Sequence, residues 1–124
     1  MRGLWPDPWQ DNATFDTQSI ASDGETVTFH IQDQYNVPTV FEINTKWNAV
    51  AALLGQANAD ASDAWYINFA SGSSGGAYPN AVAAKINPQL YGYLGGAPFA
   101  VRLGKLMLDF ADDNMVGRIV KLHT

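Results

Sequence analysis

Three apolar runs have the alternation or length of β-strands, and each is followed by polar residues. The runs are TVTFHIQDQY (26–35), WYINF with a Ser/Gly stretch (65–76) and RLGKLMLDFADD (102–113). In the first run, Val27, Phe29 and Ile31 repeat at the period of two that is typical of a strand. The intervening segments have helical spacing. This order predicts a βα-repeat protein, in which the loops after parallel strands carry the functional residues.

The segments between the strands predict two helices. Thr45 provides an N-cap hydroxyl, and apolar residues follow it at helical spacing through a segment rich in alanine. Residues 81–86 read as a short helix. Pro88 should interrupt it, because proline lacks the backbone N–H that a helix interior needs, before the helix continues over 89–94.

The two ends of the chain differ in how regular their patterns are. Residues 1–24 mix tryptophan, proline and aspartate, and we interpret them as an irregular aromatic lead-in, with 25–124 forming the βα units. The third strand is predicted over 103–110. Asp112 or Asp113 can then cap a final helix.

Length and charge limit the class of protein. The chain has 124 residues, whereas a complete (β/α)8 barrel needs roughly 250, so we expect one partial barrel domain over residues 1–124. A net charge of −5 with scattered basic residues argues against a nucleic-acid partner. The start of the chain lacks the apolar core of a secretion signal, and the absence of cysteine excludes disulfides and thiolate catalysis.

Asp33 and Tyr35 are the first candidate site residues. They lie two residues apart at a strand end, so alternation points a carboxylate and an aromatic ring to the same side. Such a pair suits a sugar or polyol. An aspartate that caps a turn beside a packing tyrosine explains the spacing equally well.

Asp109 is the second candidate, because it follows the apolar residues 106–108. A carboxylate there is costly to desolvate unless a donor or cation meets it, so it could orient a catalytic histidine or pair with arginine. An ordinary solvated strand terminus is the alternative, and spacing does not separate the two.

The remaining polar features favour structural roles. The loop over residues 71–76 lacks the lysine and spacing of a P-loop, so a rim loop is favoured over a phosphate cradle. His30 and His123 are the only histidines, and we interpret both as structural or exposed. No metal site or cofactor is expected within the chain.

Taken in order, the motifs WPDPWQDNATF, FHIQDQY, WYINFASGSSGGAYP, INPQLYGYL and RLGKLMLDF resemble the carboxyl-terminal half of the bacterial-type phosphatidylinositol-specific phospholipases C. The resemblance runs over nearly the whole chain. It implies the last three strands and helices of a distorted TIM barrel, from a family of secreted enzymes.

The resemblance also implies a chemistry. In that family an inositol hydroxyl attacks the adjacent phosphodiester of phosphatidylinositol at a membrane surface, which releases diacylglycerol and a cyclic inositol phosphate. Two histidines serve as base and acid, and arginine or calcium stabilises the phosphate. By this resemblance Asp33 would bind inositol hydroxyls, Tyr35 would stack on the ring, and Asp109 would orient the base histidine.

The chain departs from the family because neither His30 nor His123 matches a catalytic position. The catalytic histidines and the phosphate-binding arginine belong to earlier strands of the family's barrel. A non-catalytic inositol- or sugar-binding module that keeps Asp33 and Tyr35 is therefore the alternative function.

We expect the 124-residue chain to be nearly inactive alone, since loss of an acid or base costs about 100- to 10,000-fold each. An assay of cyclic inositol phosphate release, with and without a complementary amino-terminal half that carries the histidines, checks this. Robust turnover by the chain alone would contradict the prediction.

A partial barrel should also associate, because its sheet exposes open edges and the apolar face that missing strands would cover. We expect the chain to bind a hydrophobic dye, self-associate or pair with a complementary half. A monomeric chain that unfolds cooperatively without binding dye, measured by light scattering and fluorescence, would argue against this.

Overall fold

The computed structural model describes residues 9–96 and 102–122. The elements, in chain order, are β1 (Thr14–Ile20), β2 (Thr26–Gln32), a 3-10 turn (Val40–Glu42), α1 (Ile43–Ala59), β3 (Trp65–Phe69), α2 (Pro79–Gly95), β4 (Lys105–Met107) and α3 (Asp113–Leu122). The strands form one sheet in the order β1-β2-β3-β4. The predicted alternation of strands and helices is confirmed from β2 onward, where β2, β3 and β4 are parallel.

The prediction of an irregular lead-in is wrong for residues 14–20, which form β1. This strand pairs antiparallel with β2 along its whole length, from Thr14 opposite Gln32 to Ile20 opposite Thr26. The sequence of β1 is mostly polar, with buried positions only at Phe15 and Thr17. The strand is therefore stabilised by pairing with β2, a non-local contact that its own pattern does not reveal.

The boundaries of α1 differ from the prediction because the cap lies earlier. Thr39, rather than Thr45, begins the helical segment, and its hydroxyl accepts from the amide of Phe41 at 3.2 Å. The Glu42 carboxylate accepts from the backbone amide of Thr39 at 3.1 Å, which completes a capping box. A 3-10 turn then leads directly into α1 at Ile43.

The predicted break at Pro88 is also wrong, because α2 runs through it without interruption. Four large side chains at intervals of four residues hold one face of the helix in the core; they are Val82, Ile86, Leu90 and Leu94. Pro88 lies on the exposed side of the helix. The lost hydrogen bond is thus on the solvent side, where water can replace it.

The third strand is shorter than predicted and covers only Lys105–Met107. Gly104, directly before the strand, has a φ of +74°, and Phe110, three residues after its end, has a φ of +52°, so an extended backbone cannot run through either position. The cap of α3 is confirmed at Asp112, whose carboxylate accepts from the amide of Met115 at 2.8 Å.

Helix α1 packs on β2 and β3, α2 packs on α1 and α3 packs on α2, and residues of all three helices form the main core with Leu103 and the partly buried Leu106 and Leu108. On the opposite face of the sheet Trp65 is 46% exposed and Met107 is 40% exposed. Lys105 places its ammonium group 5.0 Å from the centre of the Trp65 ring. The second face is thus apolar and partly open. In residues 9–96 and 102–122, no helix is long and apolar enough to cross a membrane.

Gly104 and Gly55 provide a matched test of the packing. A Cβ on Gly104 would lie 2.6 Å from the Cβ and the carbonyl oxygen of Tyr66, whereas a Cβ on Gly55 within α1 would meet nothing within 4 Å. We expect Gly104→Ala to lower the free energy of unfolding by about 1–3 kcal/mol. Gly55→Ala should raise it by roughly 0.5–1 kcal/mol, since alanine favours the helix. Urea denaturation measures both, and equal stabilities would contradict the packing at Gly104.

Candidate functional site

The carboxyl ends of the three parallel strands meet at one edge of the sheet. Asp33 follows the last residue of β2, and Asp109 lies two residues after the end of β4, with β3 between them. Neighbouring strands are about 4.8 Å apart, so the ends of β2 and β4 are separated by roughly 10 Å. The three predicted site residues therefore share one edge, which we call the mouth: Asp33, Tyr35 and Asp109.

Residues of the lead-in hold both Asp33 and Tyr35. The indole N–H of Trp9 donates to Asp33 Oδ2 at 3.0 Å, and the Tyr35 hydroxyl donates to Asp11 Oδ1 at 2.6 Å. Asp33 is half-buried, and Tyr35 is 42% exposed. A carboxylate has about four acceptor positions, so the Trp9 bond leaves Asp33 able to accept more donors.

The bond to Asp11 is the largest cause that raises the pKa of Tyr35, and burial and the charges of Asp11 and Asp33 add to it. Tyr35 consequently keeps its proton at neutral pH. The residue therefore presents a neutral, partly exposed aromatic face beside a carboxylate.

Trp9 completes this side of the mouth. Its ring contacts Phe15 at 5.3 Å and Phe69 at 6.4 Å between centroids, both edge-on. The side chain thus contacts β1 and the end of β3 while it donates to Asp33, directly after β2. The prediction of an irregular lead-in missed this role, which depends on β1 carrying Trp9 to the mouth.

The turn that carries Asp109 is held by α2. The Asn87 side-chain amide donates to the carbonyl oxygens of Asp109 at 2.8 Å and Phe110 at 3.4 Å. Asp109 is half-buried. The clamp fixes the backbone where Phe110 takes its left-handed angle, so the position of Asp109 is determined by a residue more than twenty positions earlier.

The Ser/Gly loop uses its polar groups internally. The Ser74 hydroxyl donates to Val37 O at 2.5 Å and accepts from the amide of Gly76 at 3.1 Å. The amide of Ser73 donates to Tyr35 O at 2.8 Å. Because these amides already have acceptors, the geometry favours a rim loop fastened to the residues after β2 over a phosphate cradle.

Three buried polar residues beneath the mouth were missed by sequence reasoning: Gln32, Lys46 and Asn68. Lys46 Nζ donates to Gln32 Oε1 at 2.9 Å, and Gln32 Nε2 donates to Asn68 Oδ1 at 2.8 Å. Asn68 Nδ2 in turn donates to the carbonyl of Val50 in α1 at 2.9 Å. For Gln32 and Asn68 the available signal was a polar residue inside an apolar strand run, whereas Lys46 in α1 gave none.

His30 lies away from the mouth, within β2. Its Nδ1 is 2.6 Å from Asp16 Oδ1, and its ring stacks on Tyr66 at 4.7 Å between centroids. These contacts support its structural interpretation. His123 lies outside the described residues. Over 9–96 and 102–122, no group of three or more His, Asp or Glu side chains could hold a metal ion.

No family model and no curated protein matches the chain. Solved structures do. A phosphatidylinositol-specific phospholipase C from Staphylococcus aureus, with pentafluoro-phenylalanine incorporated, superposes with a TM-score of 0.79 at 30% identity, over 95% of this chain and 40% of that one. Another variant of that enzyme gives 0.77 at 30% identity with the same coverage.

The phosphatidylinositol-specific phospholipase C from Listeria monocytogenes gives a TM-score of 0.67 at 27% identity, over 77% of this chain and 34% of that one. The likeness thus covers most of this chain but well under half of either enzyme. The mostly parallel sheet with its three helices is consistent with part of a TIM-barrel-like fold. The chain is similar to a portion of a bacterial phosphatidylinositol-specific phospholipase C, about 40% of the length of that enzyme.

Proposed function

We propose that the chain is the inositol-binding portion of a secreted phospholipase C-like phosphodiesterase that acts on phosphatidylinositol. The observation that supports this most is that Asp33, Tyr35 and Asp109 all follow parallel strands whose carboxyl ends lie at one edge of the sheet. The similarity to two bacterial phosphatidylinositol-specific phospholipases C supports the same substrate class.

The chemistry at the mouth suits a ring that carries several hydroxyl groups. Asp33 accepts hydrogen bonds from donors, and charge-assisted bonds of this kind are roughly twice as strong as neutral ones. The exposed part of the Tyr35 ring offers a flat apolar surface for the C–H face of the ring. The Trp9 bond to Asp33 and the Asp11 bond to Tyr35 fix both groups before a ligand arrives.

The proposed reaction needs an acid and a base from outside this chain. Asp109 would accept from an imidazole N–H and stabilise the cation that forms when the imidazole takes a proton from the attacking inositol hydroxyl. His30 does not fill that role, because it lies inside β2 against Asp16 and Tyr66. A complementary amino-terminal segment would supply the imidazoles and cover the open apolar face.

Binding of myo-inositol to the chain tests the proposal directly. We expect saturable shifts of the Tyr35 and Trp9 resonances in NMR titrations at pH 7. Asp33→Asn, which keeps an oxygen for the Trp9 bond but removes the charge, should weaken binding by about tenfold.

Asp63→Asn is the matched control, because Asp63 is exposed beside the opposite end of β3 and the substitution removes the same charge. It should leave the affinity unchanged. Absence of saturable binding, or an equal loss in both variants, would overturn the assignment of the mouth.

A further inference from the structure

Lys46 is a cation in an unfavourable place. It is 3% exposed, in the first turn of α1. Burial of an ammonium group costs free energy, and cations are disfavoured near the positive end of a helix. In the part of the chain that the structure describes, its hydrogen-bond acceptor is the neutral amide of Gln32, and no salt bridge includes it. A residue so costly for stability calls for a role beyond folding.

The Lys46 ammonium group determines the orientation of the Gln32 amide. Lysine can only donate, so the oxygen of Gln32 must face it and the NH2 group must face the other way. That NH2 group donates to Asn68 Oδ1 and to the carbonyl of Phe69, both at 2.8 Å. The end of β2 is thereby fastened to the end of β3 by side-chain bonds in addition to the strand pairing.

The same Gln32 oxygen accepts from the backbone N–H of Gln34 at 2.8 Å. Asp33 therefore lies between Gln32, whose side chain is held by Lys46, and Gln34, whose backbone amide is held by the Gln32 side chain. The amide of Asp33 itself donates to Ala13 O at 2.9 Å. The backbone on both sides of the carboxylate is thus held in place.

We propose that Lys46 is a positioning residue for the polyol-binding end of β2: through Gln32 it fixes the backbone around Asp33, whose carboxylate accepts hydroxyl donors. The inference rests on the proposed inositol site for its ligand. It adds a residue that does not touch the ligand but determines how well the carboxylate receives it.

Lys46 loses its proton at a pH close to the physiological range. Burial lowers the pKa of Lys46 to about 8, and the attraction of Asp33 opposes that shift. Asp33, directly after β2, is the charged group that acts on Lys46, and β3 presents the neutral amide of Asn68. Above about pH 8 the ammonium group loses its proton, so the support for Asp33 weakens.

Stability and binding should then change in opposite directions with pH. The ordinary pKa of lysine is 10.5, so between about pH 8 and that value the unfolded chain holds a proton at Lys46 that the folded chain lacks. Stability contributed by this residue therefore rises with pH over that interval. Affinity for inositol should fall over the same interval, whereas a purely structural role would make affinity follow stability.

The test compares Lys46→Met with Lys85→Met in the full chain. Methionine matches the length of the lysine stem, the substitution removes the cost of burying an ammonium group, and the Gln32 oxygen keeps its bond from the Gln34 amide, so the fold should survive. Lys85 is exposed on α2 and controls for the substitution itself. We expect Lys46→Met to weaken myo-inositol binding at pH 7 by about five- to tenfold and to abolish the alkaline fall in affinity. Lys85→Met should do neither.

A second readout does not need the ligand. Hydrogen exchange of the Gln34 amide and the Trp9 indole should accelerate several-fold in Lys46→Met, and above pH 8 in the unmodified chain beyond the intrinsic pH effect. Faster exchange without any inositol binding by the unmodified chain would refute the proposed ligand and retain the positioning role. Unchanged exchange, or inositol binding that is equal in the two variants and constant across pH 8, would overturn the inference.

Discussion

The buried amide of Gln32 is the constraint on which the mouth depends. A glutamine side chain that is fully removed from water must have all of its donors and acceptors satisfied, because each unpaired group costs about 1–3 kcal/mol. Here both N–H groups and the oxygen are used, by Asn68, Phe69, Lys46 and Gln34. The bonds tie together β2, β3 and α1 at the level where the strands end. A network of this kind is rigid only when every member is paired. Because all of these groups are paired, the strand ends from which the loops of the mouth start are held in place.

The upper side of the mouth depends on the antiparallel pairing of β1 with β2. Trp9 and Asp11 reach Asp33 and Tyr35 from the segment before β1, and they do so because β1 pairs antiparallel with β2. The antiparallel strand thus has a functional position in a sheet that is otherwise parallel. It carries an aromatic cover to the carboxyl end of its neighbour, which a parallel strand in the same place would not do.

The sequence predicted the parts of the fold whose signals are local. The alternation of β2, the apolar run of β3 and the cap at Asp112 each depend on residues close together in the chain. The predictions were wrong where contacts between residues far apart in the sequence determine the secondary structure. The strand β1 exists because of pairing with β2, and α2 continues past Pro88 because four buried side chains hold the opposite face.

The candidate site shows the same division. Asp33, Tyr35 and Asp109 were found because polar residues after an apolar run are visible in the sequence, and their roles in binding and proton transfer remain predictions. The Lys46–Gln32–Asn68 network was missed, since these residues are far apart in sequence and a helical lysine ordinarily lies at the surface. Only the three-dimensional arrangement shows that this lysine points into the core.

The contact between the Ser/Gly loop and the segment after β2 has a consequence for variation in this fold. A Cβ on Gly72 would lie 2.8 Å from Tyr35 O, and one on Gly76 would lie 2.1 Å from Pro38 O. At these two glycines the main chain of one loop therefore packs directly against the main chain of the other. The distance between the loops is therefore set by backbone contacts. Related sequences could carry other side chains at neighbouring loop positions, and so prefer other ligands, while the mouth keeps its width.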